Sequence, residues 1–351
     1  MAQGITAQER LLRPLESIAM EPKVLRVPCG YRSSELALDV WGVFEELRER
    51  VVVLFLHGGG QTRHSWDDTA RTLAEMGRVC ITLDSKGHGD SYWDPRDPAE
   101  SYNMPEFARD LEALVVALKL DTARTFLVGA SHGGLTMLHC PALLNRCAGS
   151  VFVDVTIQLQ GAGVSRILEF MLDKADEGFA TLTEAAEAVN SYQSHRKREI
   201  TPQVLEGLRR NLRQRPNGRW HWHWDPNFLR SRGPIDPVST GEIHDKVNAN
   251  DPSVADHPIM VRKRAMEESA RQVTSPVLLV RGRTSDVVSH GAVQHMQSLI
   301  PHLRFVDVHG ASHMVAGDNN DVFSSALVNF IADHQPLVGG CAMPVASSSR
   351  L

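Results

Sequence analysis

The chain has 351 residues, 42% of them apolar, enough for a large core and one inserted element. A net charge of −5, from 37 basic and 42 acidic residues, comes without a basic patch and argues against a nucleic-acid partner. Five cysteines (Cys29, Cys80, Cys140, Cys147 and Cys341) are odd in number, scattered and without a CxxC pair, so they read as reduced intracellular thiols, not a disulfide framework. No run of about 18 apolar residues is present, so no membrane span is expected. The first residues, Met1-Ala-Gln-Gly-Ile-Thr, lack the basic-then-apolar pattern of a signal peptide.

Residues 1–21 are weakly patterned and read as an extension. An antiparallel hairpin is expected from 23–29 and 35–41. The uninterrupted apolar run 51–56 predicts a buried parallel strand, and it ends in His57-Gly58-Gly59-Gly60. Acyl transfer needs two backbone N–H donors aimed at the developing oxyanion, and Gly59 is the donor expected from this loop, with Gly60 in the substrate pocket. A phosphate-cradling role fits poorly, because Arg63 stands where the last glycine of G-x-G-x-x-G belongs. A helix over 66–76, a strand over 79–83 and a helix over 105–118 follow, the last with Phe107, Leu111, Leu114 and Leu118 on one face.

The most informative stretch comes next. Residues 125–130 form an apolar strand, and Gly129-Ala130-Ser131-His132-Gly133 matches G-x-S-x-G, a sharp strand–helix turn that projects the Ser131 hydroxyl from the sheet edge. The His132 amide, just after the nucleophile, is the second oxyanion donor. Strand 151–153 ends at Asp154, and strand 277–280 leads to Asp286. Asp286 is the expected acid, since it stands at a strand tip and preserves the order Ser…Asp…His; Asp154 is the alternative acid. The alternating run 303–308 precedes His309 and His313, and His313, further into the loop after the last strand, is the expected base.

Residues 156–265 break the strand–helix alternation and read as a helical cap inserted between core segments 22–155 and 266–335. Its centre, Trp220-His221-Trp222-His223-Trp224, carries two open readings. Trp222 and Trp224 wall the substrate pocket, or the tryptophans form the cap's own core. The H-x-H spacing of His221 and His223 has no third ligand at useful spacing, so no metal is expected. Residues 336–351 read as a flexible tail ending in Ser349-Arg350-Leu351, a variant of the peroxisomal S-K-L address that would engage an import receptor in a eukaryote and mean nothing in a bacterium.

As a set, Ser131, Asp286, His313, the His57 glycine loop and the segment Leu83-Asp-Ser-Lys-Gly-His-Gly-Asp-Ser91 resemble the α/β-hydrolase superfamily. Within it the chain is similar to the branch labelled epoxide hydrolase, cofactor-free haloperoxidase or meta-cleavage hydrolase, but with serine where epoxide hydrolases carry aspartate. The resemblance implies an α/β fold with a mostly parallel sheet, helices on both faces and an inserted cap. It gives Asp90 a structural place only. It further implies a cofactor-free serine hydrolase acting on a small-molecule ester or related acyl compound. The same triad could instead cleave a carbon–carbon bond beside a carbonyl or a lactone, and a ligand receptor on the same scaffold is the non-enzymatic alternative.

Overall fold

The structure, a computed structural model, describes residues 21–29, 34–193, 197–230, 233–318 and 320–336. The extension, the hairpin turn and the tail, with Cys341 and Ser349-Arg350-Leu351, lie outside the described residues.

Strands with apolar side chains on both sides need cover on both faces. The four strands β3 (Val52–Leu56), β4 (Val79–Leu83), β6 (Gly149–Val153) and β9 (Val277–Gly282) are buried at every position. With β1 (Lys23–Cys29), β2 (Ser34–Trp41), β5 (Thr125–Ala130) and β10 (Arg304–Val308) they make one sheet ordered β1-β2-β4-β3-β5-β6-β9-β10. β2 alone runs against the direction of the other strands, as the predicted hairpin required; every pair from β4 to β10 is parallel.

Numbering only the helices used below, α1 (Asp67–Glu75) and α11 (Asn320–His334) cover one face, through Ala70, Leu73, Phe323, Leu327 and Phe330. On the other face lie α2 (Met104–Ala117), α3 (His132–Leu138), α9 (Pro258–Arg271) and α10 (His290–Leu299), through Leu111, Leu114, Leu138, Met266, Ala270 and Met296. Helix α2 starts as the sequence anticipates, with Pro105 in its first turn and the Asn103 side chain accepting from the Glu106 amide at 3.0 Å.

The segment expected as a cap, residues 156–265, holds α4 (Gly161–Leu172), α5 (Leu182–Tyr192), α6 (Pro202–Arg209), the short α7 (Asn227–Arg230) and α8 (Pro237–Asn248). Two expectations are corrected here. The cap is not wholly helical: β7 (Leu212–Gln214) pairs antiparallel with β8 (Trp220–Trp222). The expected boundary after residue 265 also falls inside α9, whose Met266 and Ala270 belong to the sheet core. Pattern alone could not find that boundary, because one continuous helix leaves the cap and returns to the sheet.

Glycines set how closely α3 approaches the sheet. A Cβ on Gly133 would lie 2.5 Å from the Leu56 carbonyl oxygen, and one on Gly129 2.5 Å from Met137 Sδ. Gly133→Ala is therefore expected to destabilise by about 1–3 kcal/mol through overpacking. Gly207→Ala, in α6 with nothing within 4 Å of the added methyl, should stabilise by about 0.5–1 kcal/mol. Denaturant midpoints of the two variants check the pair; a Gly133→Ala protein as stable as the parent would mean that α3 can withdraw from β3.

Candidate active site

Ser131 joins β5 to α3 with φ 45° and ψ −113°, a conformation that L-residues rarely adopt. Its backbone is held at both sides: the Ser131 amide donates to the Val153 carbonyl at 3.2 Å, and its carbonyl accepts from the Leu135 amide at 3.0 Å. The close packing of Gly129 and Gly133 leaves no other path for the turn.

The glycine loop after β3 lies over the elbow, where a Cβ on Gly58 would come 3.5 Å from Ser131 Cβ. Its peptide planes are pinned from behind. The Gly58 carbonyl accepts from the Gln61 amide at 3.2 Å and from His57 Nδ1 at 2.7 Å. His57 Nε2 accepts from the Ser85 amide at 3.0 Å, so the ring proton belongs on Nδ1. In a trans peptide N–H and C=O point opposite ways, so fixing the Gly58 carbonyl fixes the Gly59 N–H. The Gly60 amide is taken by His88 Nε2 at 3.1 Å. The amides of Gly59 and His132 have no acceptor among the described residues. The His88 bond occupies the Gly60 amide and leaves that of Gly59 open among the described residues.

His313 stands after β10 as expected, on the wall of the cavity that Ser131 also lines. Its partner is not the expected one. His313 Nδ1 lies 2.7 Å from Asp154 Oδ2, and Asp154 is fully buried. The Asp154 carboxylate also accepts from the Gly282 amide at 2.8 Å and from Ser285 Oγ at 2.6 Å. Asp154 shares the strained backbone of Ser131, with φ 45° at the end of the adjacent strand. Asp286 turns to the cap instead, where Arg166 of α4 meets it at 2.8 Å. In the loop after β9 the residue that reaches toward the imidazole is thus Ser285, through Asp154. His309, the lesser base candidate, is exposed and lies against Arg283.

Four further histidines surround these groups, and burial pushes their rings toward the neutral form: His57 and His88 lie below the usual range, His132 falls to about 3 and His223 to about 4. His132 packs edge-on against Phe107 and Phe228, with ring centroids 4.5 and 5.1 Å away.

The cavity measures 1620 Å³ and is lined by Ser131, His132, Gly59, Gly60 and His313 on the core side. Apolar cap residues, among them Ile167, Leu168, Phe170, Met171 and Phe228, line the opposite side. Trp222 and Trp224 line it too, yet both are buried in the cap's own cluster with Phe179 and Leu212. The two rings thus touch both the cavity and the cluster. The segment is also a strap between cap and core: the Gly89 amide donates to the His223 carbonyl at 2.7 Å, and the Asp225 amide to the Gly87 carbonyl at 2.8 Å. His221 and His223 have separate surroundings, the first facing Asn217 and the second 3.8 Å from Asp90. Among the described residues Asp39, His64 and Asp67 stand close enough to share an ion, but Arg63 and Arg210 already pair with the two carboxylates. Asp90 pairs with Arg63 and Arg213, in keeping with a structural place.

Comparison with known proteins agrees with this fold. The family model for the alpha/beta hydrolase fold matches residues 51–319. Esterase Rv0045c of Mycobacterium tuberculosis is 26% identical over 275 residues, covering 76% of this chain and 78% of that one. The 2-(acetamidomethylene)succinate hydrolase of Mesorhizobium japonicum is 24% identical over 298 residues, 84% of this chain and 94% of its own. A crystal structure of E-2-(acetamidomethylene)succinate hydrolase superposes with a TM-score of 0.67 at 20% identity, covering 89% of this chain and all (100%) of that chain.

The acid's position is open to direct measurement. The His313 Nδ1 proton should give a strongly deshielded NMR resonance in the parent protein and in Asp286→Asn. It should be lost, or moved far upfield, in Asp154→Asn. The opposite pattern would return the imidazole to Asp286.

Proposed function

The chain belongs to the α/β-hydrolase family and is a hydrolase of that family; from this premise we propose that it cleaves carboxylic esters of large apolar groups through Ser131, His313 and Asp154. The observation that carries the reading is the His313–Asp154 hydrogen bond on the same cavity as an elbow serine and two amides without acceptors among the described residues. With its Nδ1–H donating to the Asp154 carboxylate, the His313 ring presents Nε2 as a base. Ser131 Oγ adds to the ester carbonyl as His313 takes its proton. The tetrahedral oxyanion is held by the Gly59 and His132 amides. His313 returns the proton to the departing alcohol, leaving an acyl-Ser131 ester. Water then adds to that ester, His313 again acting as base, and releases the acid and free Ser131.

Asp154 acts on this cycle from a fixed place. Two donors, the Gly282 amide at the end of β9 and the Ser285 hydroxyl in the loop after it, hold its carboxylate as the imidazole becomes charged, so little reorganisation accompanies proton transfer. The carboxylate in turn orients the ring and stabilises the imidazolium.

The size and apolar lining of the cavity support a bulky acyl or alcohol group, since the reacting carbonyl itself needs only the elbow and the glycine loop. The esterase Rv0045c likeness supports the bond type.

Ser131→Ala is expected to abolish turnover of p-nitrophenyl esters, by about 10⁶ in kcat, and to prevent labelling by a fluorophosphonate, with the fold intact. Asp154→Asn should cost about 10⁴ in kcat and Asp286→Asn far less. Ester turnover that survives Ser131→Ala would place the chemistry elsewhere. The substrate class is tested separately. Trp222→Ala should lower kcat/KM for a long-chain or aryl ester by about tenfold or more, the equivalent of about 1–3 kcal/mol in such pockets, and leave a short acetate ester within about twofold. Equal loss on both esters would assign Trp222 to cap stability alone.

A further inference from the structure

We propose that His88 is a positioning residue for the oxyanion hole: its ring nitrogen fixes the Gly59–Gly60 peptide so that one loop amide, that of Gly59, faces the reacting carbonyl. This rests on the serine-hydrolase reading above. His88 lies 28 positions from Gly60, on the loop after β4, and is fully buried.

Three consecutive glycines make a loop whose peptide planes can rotate at little conformational cost. An oxyanion donor is effective only when its direction is set before the charge develops. The first plane, Gly58–Gly59, is set by His57 and Gln61. The second, Gly59–Gly60, has one hydrogen bond among the described residues, from the Gly60 amide to His88 Nε2 at 3.1 Å. Remove that acceptor, and the Gly60 N–H must find another partner or turn toward the cavity its residue lines. Either outcome loosens the plane adjoining the Gly59 donor.

The His88 ring is suited to hold the plane. Its Nδ1 lies 3.3 Å from the Lys86 carbonyl, which places the ring proton there and leaves Nε2 as the acceptor. His57 packs beside the ring at 5.0 Å between centroids, and Phe228 of the cap meets it edge-on at 4.6 Å. The backbone is tied as well: the His88 amide donates to the Ser85 carbonyl at 2.9 Å, and a bridge pairs His88 with Trp224. The strap from the cap therefore seats the residue that seats the glycine loop. A donor that matters only once the oxyanion forms affects kcat and not substrate binding.

The test compares His88→Leu, which removes the acceptor, with His88→Gln, whose amide oxygen reaches the Nε2 position. With p-nitrophenyl acetate, His88→Leu should lose about tenfold to a hundredfold in kcat, less than full removal of a donor, with KM within about twofold. Affinity for an alkyl trifluoromethyl ketone, which forms an oxyanion on Ser131, should fall by the same factor. His88→Gln should recover both to within about threefold. Exchange of the Gly60 amide, followed by NMR, should be slow in the parent and in His88→Gln and fast in His88→Leu. If His88→Leu does not fold, His88→Asn, whose amide ends at the Nδ1 position, takes its place. Unchanged kcat, equal loss in the folded Leu and Gln variants, or a loss in KM alone would overturn the proposal. Failure of the serine-hydrolase reading looks different: ester turnover persists in Ser131→Ala. Slow Gly60 exchange in His88→Leu overturns the proposal whichever way that control falls.

Discussion

Two adjacent strands end in residues forced to positive φ, Ser131 on β5 and Asp154 on β6, and the arrangement of the site follows from how those ends are tied. Backbone bonds continue the sheet beyond its formal edge. The Ser131 amide reaches the Val153 carbonyl, the Asp154 amide reaches Val280 at 2.7 Å, and the Arg283 amide reaches Val308 at 3.0 Å. Each strained residue costs on the order of 1–3 kcal/mol, and persists because the neighbouring strand and the glycine-packed helix leave it no alternative. Ser131, Asp154 and the His313 loop thus occupy the tips of β5, β6 and β10, with Gly282 at the end of β9 and Ser285 just after it supplying the amide and hydroxyl that hold the Asp154 carboxylate.

Buried polar groups perform the finer positioning around this frame. Arg63, which in the sequence spoke against a phosphate loop, lies buried among Asp39, Asp84 and Asp90 and binds β2 to the loop after β4. Lys86, on that same loop, is buried against Asp110 of α2 at 3.1 Å, and burial raises the Asp110 carboxyl to about 6. Such pairs pay a large desolvation cost and contribute little net stability, but they hold one loop arrangement against others. Here the loop they hold carries His88 and Ser85, the two groups that meet the glycine loop through its rings and amides.

The cap does more than cover the sheet edge. Its tryptophan segment forms part of the cap's own cluster and part of the cavity wall, and its backbone pairs with the loop at Gly87–Gly89. Tyr102 OH donates to the Asp225 carboxylate at 2.7 Å and accepts from the Asp94 amide at 2.8 Å, adding a side-chain tie between cap and core. A single stretch of alternating residues serves these ends because successive side chains of an extended chain face opposite ways while its backbone remains free to pair.

Local pattern was enough for the parts of this protein whose constraints are local. The elbow is a short-range steric requirement for small residues around Ser131, so it can be read directly, and so can apolar runs that need burial on both sides. His313 was legible because it falls beyond the last strand-like run of the core. The acid was not. Asp154 and Asp286 both stand at strand tips, and nothing in the sequence says which carboxylate turns inward and which finds a guanidinium. That choice depends on Arg166, carried by a helix of the cap, and on Ser285, one residue before Asp286, both brought there by the folded chain. The same holds for the acceptor of the Gly60 amide, an imidazole from another loop, and for the cap boundary, hidden inside a continuous helix. Sequence determined the residues under steric and periodic constraint; tertiary structure decided the hydrogen-bond partners, because partnership depends on groups far apart in the chain.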